Sequence, residues 1–370
     1  MAPIRKLRVL VLAPIAILLV FLWHRKQADV INDTMSSSPP STTHRVSVDM
    51  FHQNPGLPDA ALCRLHGWRP YQTPASGRPR KVYDLFMINT ELEWLEIRLN
   101  TSYHEVDHFI VVEAPLTFTG LPKPLIIKEN WERFAPYHDK LIYHELQYPP
   151  GYDPPRPWDR EDLQRDAMLT QVFPGLEGGE SRPQQGDVII VADVDEVVRP
   201  ETLRLLRACA FPRRLTLRSR FYYYSFEFLH RGPEWAHPQA TTYAGSVDAT
   251  IKPTNLRNGD GGPAPLIYFD KDDLWNAGWH CSSCYATMGE VLTKMASFSH
   301  VSLNQDFFRD RNRIADRVRE GLDLWSRPGQ IYDRIKDNTD LPPFVLNHKD
   351  RFVHLLDRSG KSAGFSDYPP

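Results

Sequence analysis

Residues 188–198 read VIIVADVDEVV. A continuous apolar run of this kind marks a strand covered on both faces of a sheet. It runs into Asp193 and Asp195, with Glu196 directly after them and Asp187 just before the run. In extended backbone, residues two apart point the same way. The spacing therefore predicts two carboxylates on one side of the strand's carboxyl end, the edge at which open α/β sheets bind ligands. Two hard oxygen donors with coordination positions left open suit Mn²⁺ or Mg²⁺ carrying a phosphate-bearing ligand. The bland alternative is a solvated turn that merely ends a strand.

Working outward, Val82–Ile88 reads as a strand, and Leu92, Leu95, Leu99, Tyr103 and Val106 recur at helical spacing. Asp107–Glu113 reads as a second strand ending in an acid, and Leu125–Ile127 and Lys140–Tyr143 as two more. Asp159 to Phe173 reads as a helix with acids early, as its dipole prefers. Pro200 opens another helix through Cys209. Strand and helix in alternation predict an α/β domain with a mostly parallel central sheet. Asp306 to Leu324 reads as a charged, solvated helix. The string DVDEV also fits a phosphatase in which Asp193 is the nucleophile and Asp195 the general acid. That reading needs a later lysine and acid pair, for which Lys271-Asp272-Asp273 and Lys294 are candidates, though out of the expected order.

Phe221–Phe228 reads FYYYSFEF, a β-forming run whose aromatics on both faces point to core. Gly278–Tyr285 reads GWHCSSCY. Zinc would need four ligands, and only His280 is near. A redox motif and a plain disulfide are the other readings of C-x-x-C. Four cysteines allow 281–284 with 63–209, or either of two crossed pairings.

The amino terminus carries VLVLAPIAILLVFLW at 9–23, uncharged and flanked by Arg5, Lys6, Arg8 and Arg25-Lys26. No small-residue cleavage site follows it, so it reads as a transmembrane signal anchor behind a cytoplasmic tail at 1–8. Residues 24–79 are polar and rich in Ser and Pro and read as a disordered stem before a lumenal domain at 80–370. Sequons stand at Asn32 and Asn100. The whole chain has 370 residues, with 44 Lys and Arg against 46 Asp and Glu. That near-neutral balance excludes a protein that holds nucleic acid by neutralising phosphates.

KVYDLFMINTELEWLEIRLN, VDHFIVVEAPLTFTG, VIIVADVDEVVRPE, AGWHCSSCY and KMASFSH, in that order from Lys81 to His300, together resemble glycosyltransferase family 17. The resemblance extends to about Phe352. It implies a Golgi-membrane type II enzyme of GT-A-like fold that moves N-acetylglucosamine from UDP-GlcNAc. The implied acceptor is a mannose of a glycoprotein N-glycan, joined in β-1,4 linkage with inversion and with a divalent cation, Mn²⁺ or Mg²⁺. The metal-carrying carboxylates become Asp193 and Asp195, joined by His300 by analogy with other enzymes of that fold. Candidate general bases for the acceptor hydroxyl are Glu290, Glu196, Asp273 and His280. Arg165 and Asp166, with Glu113, are candidates for holding the donor. A transferase with another sugar or acceptor, the phosphatase, and an inactive glycan-binding relative are the alternatives.

Overall fold

The apolar run at Val188 becomes the middle of a sheet. The computed structural model describes residues 56–74, 77–259 and 266–369. In chain order its main elements begin with α1 (Asp59–Leu65), β1 (Arg69–Pro70), β2 (Val82–Ile88), α2 (Leu92–Ser102), β3 (His108–Glu113), β4 (Leu141–Glu145) and α3 (Pro157–Thr170). Next come β5 (Val188–Asp193), β6 (Glu196–Val198), α4 (Pro200–Ala208), β7 (Cys209–Ala210), β8 (Arg214–Tyr223), β9 (Ser225–His230) and β10 (Gln239–Thr242). Last are α5 (Pro253–Arg257), β11 (Lys271–Ser282), α6 (Met288–Ser297), α7 (Arg311–Glu320) and β12 (Tyr332–Arg334).

Ten strands form one sheet in the order β12-β9-β8-β10-β5-β2-β3-β4, with β11 paired to β8 and β6. The expected α/β alternation holds only in its first half. There β4, β3, β2 and β5 run parallel. Alternate side chains of β2 and β5 feed two cores. Val82, Phe86, Val188 and Ile190 share one core with α2, while Tyr83, Leu85, Ile189 and Val191 share the other with α3. Covering both faces is what an unbroken apolar strand requires.

The mostly parallel, GT-A-like sheet is not what forms. Of the pairings in this sheet, β2·β3, β2·β5, β3·β4 and β8·β11 are parallel, whereas β5·β10, β8·β10, β6·β11, β9·β12 and β8·β9 are antiparallel. The sheet is mixed and curls into a half-barrel. A parallel neighbour needs a crossover of a dozen or more residues, usually helical, whereas antiparallel strands join through tight turns. No helix interrupts the chain between β7 and β10, and β8 turns into β9 at Tyr224, whose φ is 66°. The aromatic run is this hairpin, and Tyr222, Tyr223, Tyr224, Phe226 and Phe228 are buried in it.

Two local expectations also change, and the open cysteine pairing is resolved. Ile126–Glu129 is a helical turn rather than a strand. The 306–324 helix is split into Asp306–Arg309 and α7, which ends at Gly321 in the left-handed conformation. The cysteines pair as Cys63–Cys209 and Cys281–Cys284. Asn100 lies on α2, where its side-chain amide donates to the Glu96 carbonyl. Among the described residues no helix is long and apolar enough to cross a membrane. The anchor expected at 9–23, most of the stem and Asn32 lie outside the described residues.

Candidate active site

Asp193 is the last residue of β5 and lies beside Met87 of β2. From β2 the sheet continues to β3 on one side and to β5 on the other, so the carboxyl ends of β2 and β5 flank a topological switch point. A cavity of about 510 Å³ opens there. Asp193, Asp195, Glu161, His280, Lys294 and His300 all line it. β11 brings the second motif to the first, because its antiparallel pairing sets His280 against Glu196 and Trp279 against Val197. Helix α6 adds a wall from one of its faces, with Val291, Lys294 and Met295 at helical spacing.

The two aspartates are not a matched pair. β5 stops at Asp193 and β6 starts at Glu196, so Asp195 sits in the turn between them, where strand alternation no longer governs direction. Asp193 Oδ2 accepts from Arg257 at 2.7 Å, and Oδ1 lies 3.4 Å from Arg165. Asp195 instead faces Lys294 Nζ at 3.5 Å and His280 Nδ1 at 3.7 Å. Burial raises the Asp195 pKa above the ordinary carboxylate value, against the opposing pull of Lys294 and His280. A phosphatase nucleophile at Asp193 would need a free oxygen, and here both face arginines.

Glu196 is fully buried. Burial alone would raise its pKa, but Arg257 donates to both carboxylate oxygens, at 2.7 and 2.9 Å, and holds it far below the usual range. Trp235 Nε1 at 2.8 Å and the Asp193 N–H at 2.9 Å complete the cage. A general base works best with a pKa near the working pH, and Glu196 is held as a permanent anion instead.

The remaining expected residues separate by place. Arg165 is buried and joins Glu161 at 2.6 Å to Asp193. Asp166 accepts from the Thr254 N–H at 2.8 Å and so fixes α5, the short helix that carries Arg257. Glu113 is away from the cavity, where it accepts from the Ile127 N–H at 3.2 Å and pairs with Lys123 at 3.4 Å. Asp273 is exposed and pairs with Arg218 at 2.9 Å. His300 is at the cavity's rim, edge-on to Trp158 at 4.8 Å. His280 is the one candidate base that lines the cavity, its ring between Trp235 at 4.8 Å and Phe221 at 5.2 Å.

Glu290 starts α6 as half of a capping box. It accepts from the Thr287 N–H at 2.9 Å, and its own N–H donates to the Thr287 hydroxyl at 3.1 Å. Glutamine serves this box as well as glutamate. Glu290→Gln is therefore expected to keep turnover near the wild-type value, and Glu290→Ala to cost about 1 kcal/mol of stability. Steady-state kinetics and thermal melts of both variants check this. A collapse of turnover in Glu290→Gln would restore it as the base.

Sequence reasoning assigned no role to Arg98 or Arg257. Arg98, on α2, donates to Asp84 at 2.5 and 2.7 Å and to the carbonyls of Asp193 and Glu196 at 3.1 and 2.7 Å. It fixes the turn that carries Asp195. Arg257 reaches back 64 residues to Asp193 and 61 to Glu196, a distance no local pattern encodes.

Among the described residues no three His, Cys, Asp or Glu side chains are close enough to hold a metal by themselves. Asp193, Asp195 and His300 share the cavity without forming such a cluster. The donors still fit a hard divalent cation of the kind held by one or two carboxylates plus substrate phosphates. Asp195 is the carboxylate suited to it. It is buried in the cavity wall, and its neighbours Lys294 and His280 stand beyond ordinary hydrogen-bond length, at 3.5 and 3.7 Å.

Paired acids and cations in the wall of one cavity, beside aromatic rings at the carboxyl edge of parallel strands, make up the candidate site. The chain belongs to glycosyltransferase family 17, whose model matches residues 3–360. It is similar to the Homo sapiens β-1,4-mannosyl-glycoprotein 4-β-N-acetylglucosaminyltransferase, 26% identical over 319 residues that cover 75% of this chain and 55% of the relative. The Rattus norvegicus and Mus musculus proteins of the same name are each 25% identical over 319 residues, with the same coverage. The chain spans about half the length of the curated relatives it matches.

Proposed function

We propose that this chain transfers N-acetylglucosamine from UDP-GlcNAc to a mannose of a protein-linked N-glycan, in β-1,4 linkage. The observation that carries the reading is the 510 Å³ cavity at the switch point, with Asp193, Asp195 and His280 in its wall, in a chain of this family. Asp195, with Asp193 behind it, would hold a divalent cation, which when bound would supply positive charge to the diphosphate leaving group. Arg98 and Arg257 keep the turn and the Asp193 carboxylate in place before the donor arrives, so neither of these two has to reorganise during the reaction. His280, steadied between two rings and facing Asp195, takes the proton of the acceptor hydroxyl. The β linkage from an α-linked donor requires inversion. Both disulfides suit an oxidising compartment, and the Golgi lumen is the proposed place of action.

The test is donor hydrolysis and transfer by the full chain with Mn²⁺ and a panel of UDP- and GDP-sugars, followed by mannose-bearing glycoprotein acceptors. UDP release from UDP-GlcNAc alone, abolished by a chelator, is the expected result. Release from a different sugar nucleotide moves the donor assignment. Release of phosphate through an aspartyl-phosphate replaces the transferase reading.

A further inference from the structure

Lys294 has no part in the mechanism above, yet it lines the same cavity. Its Nζ lies 3.5 Å from Asp195 Oδ2, and both side chains are largely buried. Burial pulls the Lys294 pKa down, but Asp195, followed by Glu91 and Asp193, raises it above the ordinary value. A buried carboxylate and a buried ammonium each need a counter-charge. Here each supplies one to the other, at a distance longer than a firm hydrogen bond.

The contrast with Asp193 is informative. Arg257 grips Asp193 at 2.7 Å and Glu196 at 2.7 and 2.9 Å, a fixed planar fork. Lysine is instead a compact charge on a flexible stem with three rotatable donors. The rings of Tyr285 and Phe298 each lie 5.5 Å from the ammonium and offer it cation–π support off the carboxylate. One aspartate is thus locked and the other only loosely countered.

We infer that Lys294 is a resident counter-ion of Asp195, displaced when a divalent cation binds and then bonded to the donor's diphosphate. The inference rests on the reading that Asp195 holds a cation. It follows from charge balance. A cation on Asp195 leaves a second positive charge beside it, and the incoming diphosphate is the group that absorbs both. Without donor, Lys294 competes with the metal. With donor, it joins the metal in holding the phosphates.

Calorimetry on the full chain tests this with Mn²⁺ alone and with UDP in saturating Mn²⁺. Lys294→Met is expected to tighten Mn²⁺ alone on the order of tenfold, because competition and repulsion both vanish. The same variant is expected to weaken UDP on the order of tenfold, for loss of a charge-assisted hydrogen bond. Lys294→Arg keeps the charge and is expected to leave Mn²⁺ alone near its wild-type affinity. Opposite signs for the two ligands in Lys294→Met support the inference. Unchanged Mn²⁺ and UDP affinities overturn it while leaving the metal reading intact. Parallel loss of both, with a lower melting temperature, also overturns it and makes Lys294 a purely structural partner. Wild-type protein that binds no Mn²⁺, with or without UDP, overturns the metal reading itself.

Discussion

Asp195→Asn is expected to lower turnover by roughly 10²–10³-fold, the scale seen when one preorganised charge-stabilising group is removed from a reacting centre. The substitution keeps the side chain's shape, so the packing beside His280 and Lys294 is retained. What it removes is the one buried cavity carboxylate whose partners stand off at 3.5 and 3.7 Å. Burial already disfavours the ionised form of Asp195, so the neutral amide carries a smaller desolvation penalty than the carboxylate it replaces. The lysine left without its counter-charge is the remaining cost. Asp195→Asn/Lys294→Met removes both charges and is the stability control, because a buried pair replaced as a unit is often neutral whereas half a pair is not. UDP release with UDP-GlcNAc and Mn²⁺, alongside thermal melts of both variants, makes the measurement. Wild-type turnover in Asp195→Asn would remove the carboxylate from the chemistry.

The place of this candidate site in the fold was legible because VIIVA reads as a strand covered on both faces, and the acids after it fall at the carboxyl edge of the sheet. The direction of the acids was not legible. Extended backbone predicts that Asp193 and Asp195 point alike, but the strand ends at Asp193 and the turn sends Asp195 to other partners. The carboxyl half of the fold was misread for a similar reason. FYYYSFEF is β-forming in any topology, and what makes β8 and β9 a hairpin is a single positive-φ residue, Tyr224, which no periodicity marks. His280 stood out because its neighbours are cysteines, yet its position beside Glu196 comes from strand pairing. Glu290 looked free in sequence. Its partner was three residues back, where Thr287 and Glu290 read equally well as the start of a helix. Arg257 was invisible because α5 is only five residues long and its partners belong to two earlier strands, β5 and β6.

Arg98→Ala is expected to destabilise the chain by roughly 3–5 kcal/mol, the cost of leaving one member of a buried ion pair uncompensated. At about 2–4 °C per kcal/mol for a domain of this size, the melting temperature falls on the order of 10 °C. Arg98 is 1% exposed and Asp84 3% exposed, so water cannot replace the lost partner. The guanidinium also lies over the Phe86 ring at 4.6 Å, so truncation leaves a packing defect beside β2. Two effects are joined in this residue, and a second variant separates them. Arg98→Met with Asp84→Leu removes both charges and fills the space with apolar volume, which is expected to restore most of the stability. It does not restore the bonds from Arg98 to the carbonyls of Asp193 and Glu196, which hold the turn under Asp195. Turnover in the double variant is therefore expected to stay at least tenfold below wild type, since roughly 1.4 kcal/mol of lost positioning is a factor of ten in rate. A stable double variant with full activity would show that Arg98 serves the fold alone. A stable and slow one shows that α2 reaches across the sheet to set the geometry of the site.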